Sequence, residues 1–159
     1  MKSQKLLFVC LGNICRSPTA EAVAAHLIRQ KDLPWVADSA GTSGAHDGES
    51  SDPRSILHAR RRGYDLTSVS RQIRESDFYD FDWILAMDSS NLDFMKRICP
   101  DPALLSKLSL ITEYCSERKH KGVPDPYYGG SDGFDEVIDI LEDAIEGLFE
   151  RLLDRSDKI

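Results

Sequence analysis

Four short apolar runs set the architecture. "KLLFVC" at 5–10, "WVADSA" at 35–40, "DWILAM" at 82–87 and "LSLIT" at 108–112 are strand-length and rich in apolar or β-branched residues. Helical patterns separate them. The first opens with Ser17 as its cap and Pro18 at its opening position, and Ala20, Val23, Ala24, Leu27 and Ile28 form one apolar face. "DPRSILHARRRG" starts a second helix with Asp52 as cap, Pro53 next and Gly63 as stop. A third follows "MDSS" and carries Leu92, Met95 and Ile98 before Pro100 ends it. In the last, Phe134, Val137, Ile138, Leu141, Ile145, Leu148, Phe149 and Leu152 recur at three- and four-residue steps beneath an acidic outer face. Strand and helix in alternation require right-handed crossovers. The expected fold is therefore α/β, a doubly wound four-stranded parallel sheet with helices on both faces. The 159 residues fit one domain spanning 1–159.

Ligands of such sheets bind beyond the carboxyl ends of the strands, and there the chain reads "CLGNICRS", Cys10 to Ser17. Gly12 permits positive φ and Asn13 tolerates it, so successive N–H groups can turn inward as an anion nest at a helix N-terminus. Arg16 can fork onto two oxygens of one phosphoryl group. Cys10 then lies at the floor of the nest, where helix termini and arginine favour the thiolate, the nucleophilic form. A nucleotide P-loop would need a lysine before Ser or Thr and two glycines at fixed spacing, which this stretch lacks. The net charge of −7 excludes a general nucleic-acid or anionic-membrane surface, so any anion site is local. Cys10, Cys15, Cys99 and Cys115 do not pair as zinc ligands would, the four histidines are scattered, and no secretion signal or span is evident. Reduced thiols, no metal, no cofactor and a cytoplasmic location are expected.

The stretch "VCLGNICRSPTAEAV" resembles the signature of the low-molecular-weight protein tyrosine phosphatases, whose loop is Cys, five residues, Arg, then Ser or Thr. The likeness continues through "DSAGTS", "DPR", "SRQI", "MDSSNL" and "DPYYGG" in family order. It implies a flavodoxin-like fold of the low-molecular-weight phosphatase type and a monomer that hydrolyses phosphotyrosine in proteins through a phosphocysteine. By that resemblance Cys10, Arg16 and Asp125 are catalytic, with Asp125 as general acid and then base. Phosphate is held by the loop from Leu11 through Gly12, Asn13, Ile14, Cys15 and Arg16 to Ser17. Ser17 supports the thiolate, and Asn13, with Ser39, braces the loop. Tyr127 and Tyr128 form an apolar wall against the substrate ring, and Ile14, Ala45 and His46 complete the substrate contacts.

Two departures from the family pattern bear on specificity. Ala45 stands where several relatives carry a bulky aromatic, with His46 beside it, which thins one pocket wall. Ser68 stands where some relatives place a bracing histidine. Within the same fold, an arginine phosphatase carries Thr at the position of Ile14, and a thioredoxin-coupled arsenate reductase needs a cysteine relay that Cys99 and Cys115 do not resemble. A non-catalytic phosphotyrosine-binding module would lack Cys10 or Asp125. The pair Cys10 and Cys15 is suited to reversible oxidation.

Overall fold

The structure is a computed structural model and describes residues 2–116, 122–127 and 130–157. Strands β1 (Gln4–Cys10), β2 (Trp35–Gly41), β3 (Trp83–Ala86) and β4 (Leu108–Leu110) form a parallel sheet in the order β2-β1-β3-β4. All four apolar runs are thus strands. The helices are α1 (Arg16–Gln30), α2 (Pro53–Arg60), α3 (Glu75–Asp80), α4 (Ser89–Ile98) and α5 (Ser131–Asp157), with 3-10 turns at Pro102–Lys107 and Ile111–Tyr114. None is long and apolar enough to cross a membrane.

Side chains of a strand alternate between faces, so a central strand must be apolar at every position to be covered twice. β1 meets that demand from Leu6 to Cys10, after a polar start at Gln4 and Lys5. Leu6, Phe8 and Cys10 pack with α1, Ala59 of α2 and the apolar stripe of α5, whereas Leu7 and Val9 pack with Phe78 of α3, Ile84 and Met95 of α4. Each fully buried Leu or Phe contributes roughly 1.5–3 kcal/mol. The chain turns from β1 toward β2 on one side and later toward β3 on the other. A crevice opens at that switch point, just past Cys10.

One expectation at the helix starts needs revision. Asp52 caps α2 as expected, accepting from the Arg54 N–H at 2.8 Å, and Gly63 takes φ +86° beyond that helix. Ser17 caps nothing. Its neighbour Cys15 is the N-cap residue, α1 starts at Arg16, and the Ser17 hydroxyl turns to the Cys10 sulfur. Helix α3 and both 3-10 turns went unseen because four to six residues are too few to show a 3.6-residue period.

Helix α5 carries a glycine at its centre, where alanine would favour helix by about 1 kcal/mol. Gly147 is there for close packing. A Cβ at this position would fall well inside van der Waals contact with the Tyr114 carbonyl oxygen and 3.0 Å from its carbon. Gly147→Ala is therefore expected to destabilise by about 2 kcal/mol or more, the backbone clash outweighing propensity. Urea midpoints of the two proteins test this, and a more stable variant would contradict it.

Candidate active site

β1 ends at Cys10, and the chain reverses into α1 within five residues. Asn13 takes φ 56°, the left-handed conformation, which turns its N–H back onto the Cys10 Sγ at 3.2 Å. The Asn13 side chain is fixed at both ends. Its Oδ1 accepts from the Arg71 N–H at 3.0 Å, which sets the amide so that Nδ2 donates to Ser17 Oγ at 2.8 Å. The Ser17 hydroxyl also lies 3.0 Å from Cys10 Sγ and 3.4 Å from the Ala40 carbonyl, and it donates to the sulfur when Cys10 is a thiolate, which can only accept. Two donors thus converge on one sulfur.

Among the described residues, no acceptor takes the N–H groups of Gly12, Ile14, Cys15 or Arg16. These groups and the start of α1 give the crevice positive potential. Gly41 makes the loop possible, since a Cβ there would lie 2.9 Å from the Leu11 carbonyl oxygen.

Arg16 is 3% exposed, so it is no surface cation. Its Nη1 donates to Asp88 Oδ2 at 2.7 Å and to the Val123 carbonyl at 3.0 Å, while Nη2 lies 3.6 Å from Asp125 Oδ2. Asp88 is the functional residue that sequence reasoning missed. Its Oδ1 caps α4 by accepting from the Asn91 N–H at 2.8 Å, and its Oδ2 anchors Arg16. "MDSSNL" does reveal the cap, but only the fold brings residue 88 to residue 16.

The segment bearing Asp125 is pinned by Val123, whose N–H donates to the Met87 carbonyl at 2.7 Å and whose own carbonyl takes the Arg16 bond. Gly122 lies so close that a Cβ would be 3.1 Å from Asp88 Cα. Asp125 Oδ1 accepts from the Tyr127 N–H at 3.0 Å, an Asx-turn spanning Pro126. Its carboxyl is 38% exposed and faces the crevice.

Cys10, Ile14 and Arg16 meet Ala45, Asp125 and Tyr127 around a cavity of about 220 Å³, so the fold brings the two distant loops to one site. Ser43 and His46 also line it, Ser43 being unforeseen. The wall that Ala45 thins is partly rebuilt by His46, whose Cδ2 would lie 3.1 Å from a Cβ on Gly12 and whose Nδ1 is 2.9 Å from Glu49 Oε2. Leu11 has its side chain on the rim, 53% exposed. Tyr128 lies outside the described residues.

The bracing differs from expectation in two places. Ser39 donates to Glu21 Oε1 at 2.6 Å rather than to Asn13. Ser70, which the sequence does not single out, supports the loop, donating to the Gly12 carbonyl at 3.0 Å beside the Arg71 N–H. Cys15 points away from solvent toward Ser55, and burial pushes its thiol up to about 12.

Chemically, the arrangement offers a sulfur among donors, a buried guanidinium and a carboxyl across one small cavity. Comparison with known proteins agrees. Residues 5–158 match the family model for low molecular weight phosphotyrosine protein phosphatase. The low molecular weight phosphotyrosine protein phosphatase of Schizosaccharomyces pombe is 44% identical over 95% of this chain and 98% of its own. A crystal structure of a protein tyrosine phosphatase from Entamoeba histolytica superposes with a TM-score of 0.93 at 46% identity, covering 96% of this chain and 99% of the other. A Drosophila arginine phosphatase also shares the fold, with a TM-score of 0.88 at 33% identity over 93% and 97% of the two chains. On sequence and topology alike, the chain belongs to the low molecular weight phosphotyrosine protein phosphatase family.

Proposed function

We propose that this chain hydrolyses phosphotyrosine in proteins through a phosphocysteine on Cys10. The observation that carries the reading is the Cys10 sulfur between the Asn13 N–H and Ser17 Oγ, with Arg16 and Asp125 across the same cavity. In the first step the Cys10 thiolate attacks phosphorus, the S–P bond forms as the P–O bond to the phenol breaks, and Asp125 gives its proton to the leaving oxygen. Water then attacks phosphorus, Asp125 takes its proton, and the S–P bond breaks to release inorganic phosphate and the thiolate. Arg16 and the free loop N–H groups hold the equatorial oxygens in both steps.

Ile14, Ala45, His46 and Tyr127 line the cavity and suit a phenyl ring better than a guanidinium, which would need buried acceptors. The acting form is read as a monomer, since Cys10, Arg16 and Asp125 of one chain already supply the proposed chemistry. A nucleophilic thiol persists in a reducing compartment, which supports a cytoplasmic location.

Phosphotyrosine peptide and phenyl phosphate are expected to yield phenol and inorganic phosphate, with phosphoarginine and arsenate poor substrates. Faster turnover of phosphoarginine, or reduction of arsenate, would overturn the assignment. Asp125→Asn sharpens the test. It should lower kcat/KM for phenyl phosphate by about 10²–10³-fold, because a phenolate with pKa near 10 leaves poorly without a proton. The loss should be much smaller for 4-nitrophenyl phosphate, whose far more acidic phenol needs little help. Equal losses on both substrates would remove Asp125 from the acid role.

A further inference from the structure

Arg54 stands outside the cavity, held to Asp52 on one side and to Tyr127 on the other. Helix α2 begins beside the phosphate-binding loop, where the Asp52 N–H donates to the Ile14 carbonyl at 2.8 Å. The Asp52 carboxylate is gripped from its own helix, with Arg54 Nε donating to Oδ1 at 3.1 Å and Nη2 to Oδ2 at 2.9 Å. That fork sets the guanidinium plane. From it, Nη2 also donates to the Tyr127 carbonyl at 3.1 Å, and the guanidinium carbon lies 5.4 Å from the Tyr127 ring centre and 4.8 Å from that of Phe134. Tyr127 in turn donates its N–H to Asp125 Oδ1 at 3.0 Å. A continuous set of contacts thus runs from the Ile14 carbonyl through Asp52 and Arg54 to the Asp125 carboxyl.

We propose that Arg54 is a positioning residue for the proton-transfer step. It holds the Tyr127 peptide, and through it the Asp125 carboxyl, in fixed register with the Cys10 loop. The inference rests on Asp125 acting as the acid, as proposed above. The fork matters as much as the charge, because a planar guanidinium can grip Asp52 with two donors and still reach the Tyr127 carbonyl beside two aromatic rings. A lysine ammonium is a point charge and cannot hold that plane. Pro126 adds to the effect. It locks φ between Asp125 and Tyr127, so displacing the Tyr127 peptide displaces Asp125 with it.

The test is a double-mutant cycle read by leaving group. The Arg54 side chain is 46% exposed and the α2 cap keeps its backbone bond from the Arg54 N–H, so Arg54→Ala and Arg54→Lys are expected to fold, with thermal midpoints as the check. Both should lower kcat/KM for phenyl phosphate about tenfold and for 4-nitrophenyl phosphate by less than about threefold, since only the first needs a well-placed acid. Inhibition by inorganic phosphate should stay within about twofold, because the anion-binding loop keeps its bond from the Asp52 N–H, a backbone group the substitution does not remove. In an Asp125→Asn background the Arg54→Ala loss should vanish. A loss of equal size in that background, or no loss in the wild-type background, overturns the proposal. Full activity in Arg54→Lys overturns the requirement for the fork. If wild-type protein turns over neither aryl phosphate, the functional assignment itself fails, a result distinct from all of these.

Discussion

Cys10→Ser should lower turnover of phenyl phosphate by about four orders of magnitude or more while leaving inorganic phosphate bound within about threefold. A serine at this position would meet the same neighbours, the Asn13 N–H and the Ser17 hydroxyl, and neither is a base. Donors stabilise an anion that already exists but remove no proton. A thiol ionises readily enough to be converted by them, whereas a hydroxyl needs a base, and Asn13 and Ser17 offer none. Rapid acid quench should trap phosphate on the wild-type sulfur and nothing on the variant. The other buried thiols sharpen the comparison. Burial pushes Cys15 up to about 12 and Cys115 up to about 11, so both remain protonated at neutral pH. Iodoacetate at pH 7 should therefore inactivate by modifying Cys10, and phosphate should protect. Primary labelling of Cys15, or variant activity within a hundredfold of wild type, would refute the nucleophile assignment.

Much of this site was readable because its chemistry lies in one stretch. The apolar run to Cys10, the permissive Gly12 and Asn13, and the apolar face of α1 are local features, and local features determine strand, turn and helix. The doubly wound sheet was legible for the same reason, since β1 is apolar at both parities and the stripe of α5 is long enough to display its period. What escaped was the choice of partner. Ser17 has the residue type of a cap, yet the thiol beside it and the Asn13 amide claim its hydroxyl. Ser39 lies beside the loop but finds Glu21, while Ser70 and the backbone of Arg71 do the bracing expected of Ser39. Asp88 announces a helix cap, but a carboxylate has two oxygens, and nothing near it in sequence says where the second one goes. Gly147 reads as a defect in a long helix until Tyr114 is found against it. Each of these depends on which surfaces meet, a property of the sheet order rather than of any window of residues.

Arg16→Lys separates charge from shape at the centre of the site. The native guanidinium serves two directions at once, with Nη1 committed to Asp88 and the Val123 carbonyl and Nη2 on the Asp125 side of the cavity. A lysine keeps the positive charge and can still pair with Asp88, so no carboxylate is stranded. Stability is accordingly expected to change by no more than about 1 kcal/mol. Having answered Asp88, however, the ammonium has no rigid second edge to present to the phosphoryl oxygens. As the group passes through its transition state those oxygens spread into the equatorial plane, where a planar pair of donors fits and a point charge does not. The expected outcome is a fall of about 10³-fold in kcat/KM for phenyl phosphate, with weaker inhibition by inorganic phosphate and a nearly unchanged urea midpoint. Activity within tenfold of wild type would mean that positive charge alone suffices and that the unclaimed N–H groups of Gly12, Ile14 and Cys15 do most of the stabilising. A large drop in stability would instead place the Val123 tether, and with it the segment carrying Asp125, at the centre of what Arg16 does.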